Sequence, residues 1–252
     1  MEHPVVKLYC LPYAGGGASA YRKWCGRLGK GIEICPVQLA GREEKRREAP
    51  CGTMEQQSAQ VADEILRTAH GCRNIVLFGH SMGAKIAYEA AKLLESRGIR
   101  LRGVIVSGSP SPDVPEAVDA ASLTDREFGG YLQRLGGMPE EILADESLLG
   151  MFLPVFRADF AMMRKYCDRS GKKLQCPVFA CGGSEDPEAA RAEVLGWRNY
   201  TDAKFGSRFL AGGHFYLFDH ETEMLGLLQE AVRGFLAASN EEAGVYNECK
   251  AN

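Results

Sequence analysis

The stretch Asn74-Ile75-Val76-Leu77-Phe78-Gly79-His80-Ser81-Met82-Gly83-Ala84 decides how the rest of the chain is read. Residues 75–78 are apolar without interruption and end at a glycine, the pattern of a strand buried on both faces. From residue 84 to residue 97 the apolar positions recur with a helical period. Gly79 to Gly83 is therefore a G-x-S-x-G pentapeptide set between a strand and a helix. That context separates a nucleophile elbow from a chance glycine-rich turn around an inert serine. So tight a turn holds Ser81 in a strained conformation, and small residues two before and two after it avoid a clash. Ser81 Oγ is then presented at a helix N-terminus, whose dipole favours developing negative charge.

Working outward, short apolar runs predict strands over residues 5–11, 32–37, 74–78, 101–107, 177–181 and 207–210. Amphipathic patterns predict helices over 18–28, 54–68, 84–97, 188–200 and 221–238. Strand and helix in alternation imply an α/β fold, a mostly parallel sheet with helices on both faces. Residues 111–166 break the rhythm. They read as helices with breakers at Gly129-Gly130, Gly136-Gly137, Pro139 and Pro154. An all-helical insertion between two strands is where a lid would sit; a plain helical cap is the competing reading. Residues 113–146 carry nine acids against two arginines, and residues 157–173 carry six bases against two acids. The chain, 1–252, is expected to be one domain, with a polar, frayed tail over 239–252.

The composition of the 252 residues, 45% hydrophobic and 25% charged, is that of a globular chain and excludes disorder as the main state. A net charge of −3 gives no sign of a nucleic-acid partner. The nine cysteines (Cys10, Cys25, Cys35, Cys51, Cys72, Cys167, Cys176, Cys181 and Cys249) are odd in number and form no CxxC pair. Zinc-ribbon and thioredoxin readings fail on that ground, and reduced thiols in a reducing compartment are expected. Residues 1–17 lack the charged and apolar regions of a signal peptide. No run approaches the roughly 18 apolar residues of a membrane span. A cytoplasmic chain without membrane contact is the expectation. Histidines and acids are too dispersed to show metal-ligand spacing, so no metal is expected.

A serine nucleophile needs a base. His3 sits at the N-terminus, His70 follows a helical run and is expected exposed, and His80 belongs to the elbow and points away from Ser81 by alternation. His220 falls near the start of the final helix and reads as a capping or surface residue. His214, in Ala211-Gly212-Gly213-His214-Phe215, directly follows the last strand, and functional groups gather at the carboxyl ends of parallel strands. The orienting acid is expected between serine and histidine in chain order. Asp186, in Gly182-Gly183-Ser184-Glu185-Asp186-Pro187, is preferred, with Glu185 and Asp113 as alternatives. Two backbone donors must hold an oxyanion. Met82 N–H follows the nucleophile, and Ala14 N–H lies in Leu11-Pro12-Tyr13-Ala14-Gly15-Gly16-Gly17 at the end of the first strand. The glycines there lack the Lys-Ser/Thr of a phosphate loop. Acyl transfer by Ser81, Asp186 and His214 follows, with water and no cofactor.

With these residues in view, the chain resembles the type II thioesterases of nonribosomal peptide and polyketide synthesis, which are discrete α/β-hydrolases. The likeness runs from about residue 7 to about residue 236. Leu11-Pro12-Tyr13-Ala14-Gly15-Gly16, Leu39-Ala40-Gly41-Arg42-Glu43 with Glu48-Ala49-Pro50, Phe78 to Ala84, and Gly213-His214-Phe215 carry it. So do Leu135-Gly136-Gly137-Met138-Pro139 and Pro154 to Phe160, which generic esterases lack. The resemblance implies hydrolysis of acyl or aminoacyl thioesters on the phosphopantetheine arm of an acyl or peptidyl carrier protein. It implies a transient encounter and a monomer, with 111–166 as the lid. Met82, Met138, Phe152, Phe156 and Phe215 would then line the acyl pocket. Two positions depart from the family pattern: Glu185 replaces the first acid of Asp-Asp-Pro, and Lys85 stands where relatives commonly carry an apolar residue. The basic run 157–173 and Arg97, Arg100 and Arg102 are possible docking faces for an acidic carrier. A medium-chain acyl-CoA or acyl-carrier thioesterase, or a small-molecule esterase, shares the triad. A non-catalytic binding module is the reading from another class.

Overall fold

In a computed structural model the described residues are 6–138 and 140–248, with side chains through 238. His3, Pro139, Cys249, the first residue of the expected first strand and the last four of the expected tail lie outside them. Six strands form one parallel sheet: β1 (Val6–Leu11), β2 (Ile32–Pro36), β3 (Ile75–His80), β4 (Gly103–Ser107), β5 (Val178–Gly183) and β6 (Phe205–Leu210). Their order is β2-β1-β3-β4-β5-β6. The winding reverses beside β1, so a crevice opens there at the strands' carboxyl ends.

Period-two alternation explains why these strands are apolar throughout. Tyr9, Leu11, Ile75 and Leu77 enter one core with helices α2 (Met54–Thr68) and α3 (Met82–Ser96). Leu8, Cys10, Val76 and Phe78 enter the other core, on the opposite face. There they meet Tyr21 of the short helix α1 (Ser19–Arg22), Trp24 and the later helices. The central strands β3 and β4 are buried along their whole length, whereas the edge strands β2 and β6 keep exposed positions at Glu33, Ser207 and Arg208.

Between β4 and β5 the chain forms α4 (Asp125–Arg134), α5 (Glu140–Ala144) and α6 (Glu146–Arg164). Thr124 and Glu127 close a capping box at the start of α4, and Asp145 caps α6 through the Ser147 and Leu148 N–H groups. Leu149, Leu153, Phe156, Phe160 and Met163 form the buried face of α6. After β5 come α7 (Arg191–Leu195) and a 3₁₀ turn, Gly196–Tyr200; α8 (Tyr216–Asp219) and α9 (Glu221–Glu248) close the chain.

The expected helix over 54–68 matches α2 in both bounds. The helix expected over 84–97 begins two residues earlier and ends one earlier, at Met82–Ser96, and three others differ more. The 18–28 pattern is helical only over Ser19–Arg22 and continues in tight turns, with Gly26 at φ 76°. Tyr21 and Trp24 pack there on Phe78, at ring separations of 5.6 and 5.7 Å, and the turns serve that contact. The 188–200 pattern splits into α7 and the 3₁₀ turn, where the Trp197 indole N–H donates to Ser109 O at 2.9 Å. The last helix runs on to Glu248. Among the described residues no helix is long and apolar enough to cross a membrane.

Thr53 caps α2 by accepting from the Gln56 N–H at 3.3 Å. Thr53→Ala is expected to lower the unfolding free energy by about 1 kcal/mol, read from the urea midpoint, and to leave turnover unchanged.

Candidate active site

The site begins at the junction of β3 and α3. Ser81 has φ 55° and ψ −119°, a conformation that non-glycine residues rarely adopt. The Ser81 N–H donates to Ser107 O on β4 at 2.8 Å, which ties the turn to the neighbouring strand. A Cβ at Gly79 would lie 2.0 Å from Gly83 O, and one at Gly83 would lie 2.3 Å from Leu11 O. No side chain fits either position, which is why the pentapeptide needs both glycines.

His214 follows β6, and its Nδ1 lies 3.0 and 2.9 Å from the two carboxylate oxygens of Asp186, which follows β5. Both residues are buried, and the Glu188 N–H donates to Asp186 Oδ1 at 2.9 Å, holding the carboxylate in place. Asp186 is therefore the acid that faces His214. Glu185 and Asp113 are exposed, and Asp113 is instead bonded to Ser111 and Tyr200, contacts that hold its carboxyl below the usual range. Ser81, His214 and Ala14 line one cavity of about 290 Å³. The Ala14 and Met82 N–H groups find no hydrogen-bond partner among the described residues. Such free donors beside a serine are what an oxyanion requires.

His80 is fully buried, with its ring centroid 5.0 Å from that of His214. Its Nδ1 lies 2.9 Å from Ser107 Oγ, which in turn lies 2.6 Å from the Tyr216 hydroxyl. Burial, and then the neighbouring charge of His214, push the His80 pKa well below its ordinary value of 6.5. His80 thus favours its neutral form behind the His214 ring.

The insertion supplies much of the cavity wall, through Val114, Val118, Tyr131, Leu135, Phe160 and Met163. None of the side chains expected to line the acyl pocket is among the cavity's lining residues. Phe152 is 43% exposed on the outer face of α6, because the buried stripe of that helix runs through Leu149, Leu153 and Phe156. Met138 is buried near Gly129 among the insertion helices, and Met82 is buried in the core. Phe156 covers Gly15, and Phe215 packs edge-on against Tyr13 at 4.7 Å. Lys85, one helical turn beyond Ser81, does line the cavity. It is only 3% exposed, its Nζ donates to Val114 O at 2.9 Å, and burial pushes its pKa down. Tyr131, Glu188 and Glu193 also reach the cavity; no motif marks them, because they arrive from two segments distant in sequence, α4 and the stretch after β5 that ends in α7. Among the described residues no group of three or more His, Cys, Asp or Glu is placed to hold a metal.

The profile of the thioesterase domain family matches residues 6–232. The chain belongs to the thioesterase family. It is a thioester hydrolase of the serine α/β-hydrolase type. It is 38% identical to the thioesterase PikA5 of Streptomyces venezuelae over 87% of this chain and 78% of that one. It is 34% identical to the gramicidin S biosynthesis protein GrsT of Aneurinibacillus migulanus, over 92% and 91% of the two chains. Among solved structures, the RedJ thioesterase of the prodiginine pathway in Streptomyces coelicolor superposes with a TM-score of 0.84. That pair is 37% identical and covers 89% of each chain.

The depressed pKa of His80 carries a pH dependence. Below the unfolded value of 6.5 the unfolded chain binds a proton that the folded site refuses. Stability is therefore complete above that pH and falls as pH drops, by up to about 1.4 kcal/mol per unit from this group. Urea unfolding at neutral and mildly acidic pH should show a larger acid loss in wild type than in His80→Asn. Equal losses would assign the effect elsewhere.

Proposed function

We propose that this thioesterase hydrolyses acyl or aminoacyl thioesters on the phosphopantetheine arm of a carrier protein, clearing blocked positions in nonribosomal peptide or polyketide synthesis. The observation that carries it is the strained Ser81 and the Asp186–His214 pair at one cavity, walled by the insertion that the family motifs run through. Its likeness to PikA5, GrsT and RedJ supports the pathway class.

In this mechanism His214 takes the Ser81 proton while Asp186 holds the imidazole by its other nitrogen and stabilises the cation that forms. Ser81 Oγ attacks the thioester carbonyl, and the Ala14 and Met82 N–H groups receive the oxyanion. His214 returns the proton to the departing thiol. A water, deprotonated by the same histidine, then releases the acid and frees Ser81. These steps need no cofactor. The insertion acts as the lid. The thioesterase works as a cytoplasmic monomer and meets its carrier transiently.

Arg164, Lys165 and Arg169 are exposed at and beyond the end of α6 and suit an acidic carrier. Arg157 is less available, since it donates to Asp125 and to backbone carbonyls of the insertion. Charge reversal at Arg164, Lys165 and Arg169 is expected to raise KM for carrier-bound substrates only; an equal loss on a small thioester would refute docking there.

The deciding assay offers a carrier loaded with acetyl, aminoacyl or longer acyl groups to wild type and Ser81→Ala, with release read by mass spectrometry. Wild type should release the acyl group, and Ser81→Ala should lose roughly 10⁴-fold or more in turnover. No release from the carrier, beside good turnover of free CoA thioesters, would overturn the carrier substrate while leaving the triad in place.

A further inference from the structure

The turn bearing Ala14 is gripped by an ion pair remote from it in sequence. The Gly16 N–H donates to Tyr13 O at 2.9 Å, and Gly15 has φ 75°. These features make a turn with Ala14 and Gly15 at its centre, the second needing the left-handed region. Its outward polar groups face one carboxylate and one guanidinium. The Gly15 N–H donates to Asp159 Oδ2 of α6 at 2.8 Å. Arg42 Nη1 donates to Gly16 O at 3.0 Å. Arg42 and Asp159 are joined by two hydrogen bonds, Nη1 to Oδ2 and Nη2 to Oδ1, each 2.7 Å. They are 6% and 3% exposed, respectively. Phe156, nearly one turn earlier on α6, closes over Gly15, where a Cβ would lie 2.3 Å from its ring.

We propose that Arg42 and Asp159 are positioning residues for the oxyanion donor Ala14, so that the oxyanion hole is complete only when the insertion helix is seated. The inference rests on the assignment of Ser81 and Ala14 made above. The Ala14 N–H has no side chain to steer it, and its direction is set by the turn. That turn is fixed on one side by a donor bonded to the insertion and on the other by an acceptor bonded to the loop after β2. A buried bidentate pair resists rotation of either group. Fold stability alone does not require it, since apolar pairs of similar volume often replace buried ion pairs without loss.

That last point supplies the test. The double variant Arg42→Met/Asp159→Leu removes both charges and the acceptor for Gly15 N–H while keeping the volume filled. It is expected to fold with a Tm near wild type, to keep KM, and to lose about 10- to 100-fold in kcat, part of the cost of removing an oxyanion donor outright. Affinity for a trifluoromethyl ketone analogue of an acyl-pantetheine, whose adduct with Ser81 carries an oxyanion, should fall by the same factor. Affinity for the matching non-reactive thioether should not change. Wild-type kcat and wild-type ketone affinity in a folded double variant would overturn the proposal, as would equal weakening of both analogues. If the double variant does not fold, Asp159→Asn takes its place, with selective loss of ketone affinity supporting the proposal and its retention refuting it. Ser81→Ala, run alongside, separates the two levels. Retained turnover there would sink the site assignment itself, whereas an inactive Ser81→Ala beside a fully active double variant would sink only the positioning role.

Discussion

The backbone at Ser81 is the constraint on which the rest of the site depends. A non-glycine residue at φ 55° costs on the order of 1–3 kcal/mol and persists only where its surroundings over-determine it. Here β3 enters the turn buried on both faces, β4 accepts the Ser81 N–H, and α3 leaves immediately. Gly79 and Gly83 let the two limbs of the turn, and the end of β1, come closer than any side chain permits. Once this turn is set, Ser81 stands at the carboxyl edge of a central strand, and any side chains that serve it must come from loops at that same edge. Asp186 after β5 and His214 after β6 do so because every strand of the sheet is parallel.

Around this point the protein buries several polar and ionisable groups, among them His80, Lys85, Arg42 and Asp159. His80 is kept neutral behind His214, Lys85 lies under the cavity, and Arg42 and Asp159 bind each other beneath the Ala14 turn. Removing such groups from water is costly unless their hydrogen bonds are met; Lys85, Arg42 and Asp159 have partners, and His80 is bonded through Nδ1 while its buried Nε2 has no hydrogen-bond partner among the described residues. The insertion takes part in this network. It walls the cavity, supplies Asp159 and Phe156 to the Ala14 turn, and accepts from Lys85 through Val114. It therefore contributes to the cavity wall and to the Ala14 turn alike.

Much of this was legible in the chain. Periodicity located all six strands; the central β3 and β4 are buried on both faces and so are apolar along their length, and the edge strands β2 and β6 are short runs that stop at turns. The elbow was legible because its requirement is local and steric, and the helix over 54–68 because its amphipathic face is continuous between turn residues. Where local pattern competed with packing, packing won. Residues 18–28 carry a helical pattern, yet Tyr21 and Trp24 are drawn onto Phe78 and the helix stops after Arg22. Phe152 lies just before the stretch Pro154 to Phe160 shared with the family, but its neighbours Leu149 and Leu153 claim the inner face of α6.

By itself, then, the sequence determined the parallel α/β order and the strained strand-to-helix turn at Ser81. These follow from short-range sterics and from periods that each segment carries within itself. Only the tertiary structure decided which acid faces His214, which side chains wall the cavity, and that Arg42 meets Asp159 across 117 residues of chain. Those outcomes depend on how separate elements pack against one another. No single segment encodes the distance between two side chains that lie in different layers of the fold.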